Sequence, residues 1–266
     1  MPRQITAFSN PLIKRVRGLR DKRHRREERL FLAEGLRILA EAEEAGTLPQ
    51  MLFFARESGD HPIVRRLSAK VEGQGGDVIE TSRDILHKLS GKDNPQAVLG
   101  VYRQFDTALS RVDRAASGIW LVAQAMRDPG NLGTMLRTGD AVGAGGLILI
   151  DDTVDPFSVE AVRASMGAMF TQRIAQARWP DFIDWLRSGD GQLVGLSLDS
   201  SVDYRLPNYV APTFLLVGNE AQGLPSDYAA ACDLRVKIPM LGKADSLNAA
   251  ISCAVMAYQV LGQRLP

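Results

Sequence analysis

Cysteine is nearly absent from this chain of 266 residues. Only Cys232 and Cys253 occur, which excludes a disulfide framework and leaves too few thiolates for a zinc site. The three histidines, His24, His61 and His87, are scattered, and none has a partner at metal-ligand spacing, so no metal is expected. No run of 18 apolar residues exists, so no membrane span is predicted. The N-terminus, Met-Pro-Arg-Gln-Ile-Thr-Ala-Phe-Ser-Asn-Pro, lacks the continuous apolar core of a secretory signal. A cytoplasmic location is the resulting expectation. P-loop and Gly-x-Ser-x-Gly signatures are also missing, which leaves phosphoryl-transfer and esterase chemistry without support. Gly143-Ala-Gly145-Gly146 is the one Rossmann-like fragment, but it precedes a strand instead of following one, the wrong order for a dinucleotide site.

What is present is an ordinary globular balance, 45% hydrophobic and 24% charged. The net charge of +1 conceals a division. Residues 1–106 carry 19 Lys+Arg against 15 Asp+Glu, and the remainder carries 13 against 16. Ten of the basic side chains fall within residues 1–30, against three acidic ones. Such a run attracts polyanions over about one Debye length, roughly 8–10 Å; a solvated helix face would look the same.

Residues 12–29 read as one basic helix. Strands are predicted at 30–33, 51–55 and 98–102 and a helix at 63–71, giving a small α/β module over residues 1–106. Residues 107–117 lack a clean period and form a candidate linker. Over 118–266, strands predicted at 119–124, 146–150, 193–198, 213–217 and 234–238, most of them nearly continuous apolar runs, alternate with helical patterns, which predicts a parallel sheet covered on both faces. A last helix is expected to be capped by Asp245 or Ser246. Its Leu247, Ile251, Ala254, Val255, Tyr258 and Leu261 lie on one stripe, suited equally to core or interface.

Three glycine-bearing loops follow these strands. The first runs from Arg127 to Gly143 and holds Asn131, Gly133 and Arg137, with Asp128 or Asn131 able to cap its helix. The second, Val217-Gly218-Asn219-Glu220-Ala221-Gln222-Gly223-Leu224, places a carboxylate where sheet ligands bind. The third runs Ile238-Pro239-Met240-Leu241-Gly242 to Ser246-Leu247-Asn248, into a helix start whose N–H groups suit an anionic oxygen. Singly, each is an ordinary turn.

Together, in this order and spacing, they resemble the three motifs of the SpoU (TrmH-like) family of RNA 2′-O-ribose methyltransferases, within the SPOUT class. The first is similar to Asn-x-Gly-(x)3-Arg, the second to Gly-x-Glu-x-x-Gly-Leu, the third to Ile-Pro-Met-x-Gly followed by Ser-Leu-Asn. Asp155 to Ala168 and Phe31 to Arg37 are similar to the family as well, so the likeness covers nearly the whole chain. Gly139, where the family usually has alanine, and Ala221, where it often has glycine, depart from it.

The resemblance implies a C-terminal α/β domain with a parallel sheet tied in a trefoil knot, beside a smaller N-terminal α/β RNA-binding domain. It implies S-adenosylmethionine held by Gly218, Ile238 and Leu247, with Met240, Leu196 and Ser197 as neighbours. Arg137 matches the catalytic arginine. Because guanidinium stays protonated, its expected role is to stabilise the developing alkoxide and grip a phosphate. Asn131, Glu220, Ser246 and Asn248 complete the expected catalytic set. Lys14, Arg15, Lys22, Arg23, Arg25 and Arg26 are expected to meet RNA phosphates, ribosomal RNA being favoured over transfer RNA, and the protein is expected to be a homodimer. The competing expectation is a catalytically silent RNA-binding protein of the same fold.

Overall fold

The computed structural model describes residues 2–91 and 96–265, and the chain divides into two compact units. The first comprises the chain up to Phe105 together with Asp155–Thr171. Its elements in chain order are β1 (Arg3–Gln4), α1 (Pro11–Gly18), α2 (Lys22–Glu28), β2 (Leu30–Glu34), α3 (Leu36–Glu44), β3 (Met51–Ala55), α4 (Pro62–Gly73), β4 (Asp77–Thr81), α5 (Arg83–Ser90) and β5 (Val98–Arg103). They form a mixed sheet of order β1-β4-β3-β5-β2, in which β5 runs antiparallel to both neighbours. Val16, Leu19, Phe53, Ile79, Leu86, Leu89 and Val101 share one of its cores.

Where the sequence predicts a single basic helix over 12–29, the structure has two. Asn10 caps α1 by accepting from Leu12 N at 2.9 Å, with Pro11 at the first helical position. Asp21 then caps α2, its carboxylate accepting from Arg23 N at 2.8 Å. A second cap inside a helical pattern starts a new helix, and buried Leu19 anchors the turn between them. Strands β1 and β4 and helix α5 go unpredicted: β1 has two residues, and β4 mixes Asp77 and Glu80 with its apolar side chains.

The second unit comprises Asp106–Val154 and the chain from Gln172 onward. It contains β6 (Ile119–Gln124), α6 (Pro129–Ala141) and β7 (Gly146–Ile150). After the excursion that carries α7 (Val159–Ser165) in the first unit come β8 (Arg173–Ala177), α8 (Trp179–Arg187), β9 (Gln192–Leu196), β10 (Thr213–Val217), α9 (Ser226–Ala231), β11 (Leu234–Val236) and α10 (Ala249–Gly262). The sheet order is β11-β9-β10-β6-β7-β8, and every pairing is parallel. Every residue of the adjacent β6, β7 and β10 is buried, as strands covered on both faces require. Phe182, Phe214 and Trp120 fill one of its cores.

Two boundaries differ from expectation. The segment Asp155–Thr171, expected in the second domain, packs with the first unit, where Phe157 and Phe170 meet the Phe31 ring at centroid distances of 5.2 and 6.1 Å. Residues 107–117, expected to be a linker, belong to the second unit: Gln176 N donates to Thr107 O, and Ala108 bridges Gln176. No helix among the described residues is long and apolar enough to cross a membrane.

Candidate active site

In a parallel sheet, loops at the carboxyl ends of the strands converge on one edge, where ligands bind. Here the loops after β9, β10 and β11 enclose a cavity of about 320 Å3, within the roughly 300–1,000 Å3 typical of small-molecule sites. All six residues expected to hold a donor line it: Leu196 at the end of β9 and Ser197 just after it, Gly218 after β10, and Ile238, Met240 and Leu247 after β11. Glu220 and Ser246 line it too.

The loop after β10 is shaped by its own side chains. Asn219 Oδ1 accepts from Ala221 N and Gln222 N, and its backbone oxygen accepts from Gly223 N at 2.9 Å. Gly223 sits at φ +69°, and a Cβ on Gly218 would come within 2.3 Å of the Gly223 carbonyl carbon. The turn therefore closes only with glycine at 218. Asn219 Nδ2 reaches across to donate to Ala125 O at 2.8 Å, tying this loop to the end of β6. Sequence reasoning missed Asn219, although an Asn directly after a glycine in such a turn was the available signal.

Polar side chains join the three motif loops. Asn248 Nδ2 donates to Asn131 Oδ1 at 2.8 Å, and Asn131 Nδ2 donates to Glu220 Oε1 at 3.0 Å. The Glu220 carboxylate also accepts from Arg127 N and Asp128 N, both at 3.3 Å. Burial opposes ionisation of Glu220, but the hydrogen bonds from Asn131 and from backbone N–H groups outweigh it and lower its carboxyl below the usual value. Asn248, not Asp245 or Ser246, caps α10, accepting from Ala250 N and Ile251 N. Asp128 caps α6, which leaves the Asn131 side chain free for the relay.

Three motifs brought to one sheet edge, in the order the sequence presents them, restrict the candidates sharply, and two family models decide between them. The SpoU rRNA Methylase family matches residues 118–258, and the MRM3-like substrate binding domain matches residues 10–100. The chain belongs to the SpoU methylase family. It is 27% identical to 23S rRNA (guanosine(2553)-2′-O)-methyltransferase RlmP of Bacillus subtilis, over 98% of this chain and 100% of that one. It is 31% identical to the 23S rRNA (uridine(2479)-2′-O)-methyltransferase of Streptomyces viridochromogenes, over 93% of this chain and 87% of the other. The crystal structure of an AdoMet-bound rRNA methyltransferase from Sinorhizobium meliloti matches with a TM-score of 0.91 at 38% identity, covering 99% of both chains.

Against this SpoU frame, Arg137 stands apart. It lies on α6 with an exposed side chain, does not line the cavity, and among the described residues makes no hydrogen bond or ion pair. Its donors are all available to a ligand. Neither thiol suits nucleophilic work: burial pushes Cys232 up to about 11 and Cys253 up to about 12.

The basic N-terminal segment divides on inspection. Arg25 is 3% exposed; its guanidinium donates to Asp155 Oδ2 at 3.0 and 2.6 Å and to the Leu19 and Arg20 carbonyls at 2.9 and 2.7 Å. With its donors consumed inside the fold, Arg25 is no phosphate contact, which corrects the expectation from sequence. Arg15 pairs with Glu28 and Arg23 with Glu27 at the surface. Lys14, Lys22 and Arg26 are exposed and have no polar partner among the described residues.

Proposed function

We propose that this chain transfers a methyl group from S-adenosylmethionine to a ribose 2′-hydroxyl of ribosomal RNA. One observation carries the reading: the cavity beside the Asn131–Glu220–Asn248 relay is lined by apolar walls and two carboxylates, Asp199 and Glu220, with no Lys, Arg or His among its lining residues. A site of that charge suits a cationic donor and opposes a nucleotide phosphate. Ile238, Met240, Leu247 and Leu196 provide the apolar surface an adenine needs. The relatives named for 2′-O-methylation of 23S rRNA support the choice of RNA.

The donor supplies an electrophilic methyl, so the protein's task is to position the hydroxyl and stabilise its oxygen as it loses a proton. Arg137, with its donors unspent, grips a substrate phosphate and stabilises the developing alkoxide, and the phosphate is the proton acceptor. Asn131, Glu220 and Asn248 are occupied with one another and hold the loops in register. Ser246 lies at the cavity wall, within the loop that leads into α10. Lys14, Lys22 and Arg26 meet RNA phosphates, giving an affinity that falls with salt.

Two further features belong to this proposal. The trefoil knot is supported by the chain path: after edge strand β11, α10 returns across β10 and β6 to pack on α6. A homodimer is supported by α10, whose core-facing side is Ala250, Cys253, Met256, Ala257 and Val260, while Ile251 and Tyr258 are 51% and 55% exposed. Leu247, Ile251 and Tyr258 of the predicted stripe thus face outward while Ala254, Val255 and Leu261 are half-buried, and a second copy is a fitting cover for the exposed part.

Mapping 2′-O-methyl groups in ribosomal and transfer RNA from cells with and without the gene tests the reading. The expected result is one ribosomal position lost on deletion and restored by the unaltered gene but not by Arg137→Ala. Unchanged methylation in every RNA would refute it.

A further inference from the structure

We infer that Asp199 is a specificity residue for the methyl donor, its carboxylate accepting hydrogen bonds from the cis-diol of the donor's ribose. The inference rests on the proposed function and deepens it. Asp199 and Glu220 are the only ionisable side chains among the residues lining the cavity. Glu220 is committed, since its oxygens hold Arg127 N, Asp128 N and the Asn131 amide. Asp199 is not. Its backbone N–H donates to Ser197 Oγ at 3.3 Å, but among the described residues its carboxylate accepts no hydrogen bond and forms no ion pair. The lone pairs of both carboxylate oxygens are therefore available at the wall of the site.

Sheet order says which end of a ligand they meet. Across the edge the strands run β11, β9, β10, β6. Asn131 and Glu220, on the two motif loops where the proposed function puts the reacting end, follow β6 and β10. Asp199 follows β9, whose other neighbour is β11, and Ser197 N donates to Val236 O at that boundary. The apolar walls Ile238 and Met240 follow β11. A flat adenine belongs against those walls, so Asp199 lies at the nucleoside end of the cavity and away from the reacting end. The polar groups of a nucleoside next to its base are the two ribose hydroxyls. Both are donors, and a carboxylate with two free oxygens is their natural acceptor, as acidic residues beyond strand ends are for ribose in dinucleotide-binding sheets.

The test is calorimetric and independent of turnover. S-adenosylmethionine, S-adenosylhomocysteine and the 3′-deoxy analogue of S-adenosylhomocysteine are titrated into the unaltered protein and into Asp199→Asn. The unaltered protein is expected to prefer S-adenosylhomocysteine over its deoxy analogue by about tenfold, the worth of a hydrogen bond to a charged group. In Asp199→Asn that preference falls towards unity, and both hydroxylated ligands weaken by the same factor. A preference that survives the substitution overturns the inference, as does a variant that weakens S-adenosylmethionine alone, which would mean that Asp199 senses the sulfonium charge. If the unaltered protein bound none of the three, the methyl-donor reading itself would fail, and this inference with it. Asp199 is exposed, so equal melting temperatures are expected for both proteins.

Discussion

Charge is used differently in the two units. In the first, charged side chains are spent on the fold: Arg25 is buried against Asp155 and two carbonyls, and Glu43, 9% exposed, takes Arg66 and Lys70 at 2.8 and 2.7 Å. In the second, polar groups link the motif loops at one sheet edge, where Asn131 joins Asn248 to Glu220, while exposed Arg137 on α6 makes no hydrogen bond or ion pair among the described residues. A buried ion pair is poor evidence of function and strong evidence of structural cost when broken. An exposed cation with no partner among the described residues, on the helix that carries Asn131, is the reverse. Composition alone does not separate the two uses, because a basic residue count weighs Arg25 and Arg26 equally.

The sharpest way to break this comparison is to remove the buried arginine. Arg25→Ala should destabilise the protein by about 3–5 kcal/mol, because Asp155 is left partly buried without its counter-charge. Denaturant melts would check this, and a loss of RNA affinity at full stability would return Arg25 to the interface. Next in size is Arg137→Ala, expected to slow single-turnover methyl transfer by about 10²–10³-fold with donor affinity unchanged. Glu220→Ala unpairs two backbone N–H groups and the Asn131 amide, for about 1–3 kcal/mol of local stability and a matching loss of donor affinity. Its pH dependence has a definite sign. A carboxyl lowered in the fold contributes fully above the unfolded value of about 4.3 and is lost as pH falls through the folded value beneath it. Donor affinity measured by calorimetry should therefore be level from pH 7 to about pH 5 and decline only below about pH 4. The smallest effect is expected at the exposed cations: Lys22→Ala or Arg26→Ala should reduce the salt slope of RNA binding by about 1 each, whereas Arg25→Ala should leave the slope unmoved.

The same contrast explains what was legible in the sequence. The second unit's β6, β7 and β10 are continuous apolar runs between turns, so periodicity and flanking glycines place them to the residue. The first two motif loops announce themselves because each follows such a strand, whereas the third follows the short β11, Leu-Arg-Val, and shows itself by its Ile-Pro-Met-x-Gly and Ser-Leu-Asn residues. The first unit hides more. Strand β4 carries charge at Asp77 and Glu80, the break between α1 and α2 depends on an Asp21 cap that reads equally well as a helix surface residue, and Arg25 becomes internal only because Asp155, 130 positions away, comes to it. Long-range pairing of that kind leaves no local period. Asn219 and Asp199 escaped for a different reason: their roles are set by which neighbours leave a side chain occupied or unoccupied, and pattern does not record occupancy. The face of α10 was undecidable for a similar cause, since an apolar stripe reads alike whether it turns to a core or to a second copy.

The loops after β9, β10 and β11 are proposed to hold one methyl donor, and Gly218 is the glycine in them that least tolerates a side chain, because an added Cβ would meet the Gly223 carbonyl carbon at 2.3 Å and Leu224 N at 2.5 Å within its own turn. Isothermal titration of S-adenosylmethionine into the unaltered protein and into Gly218→Ala tests it directly, with circular dichroism to show that both are folded. Saturable binding at one site per chain, abolished by the single methyl group, is the predicted result. Binding that survives the substitution unchanged, or no binding to the unaltered protein, would contradict the account.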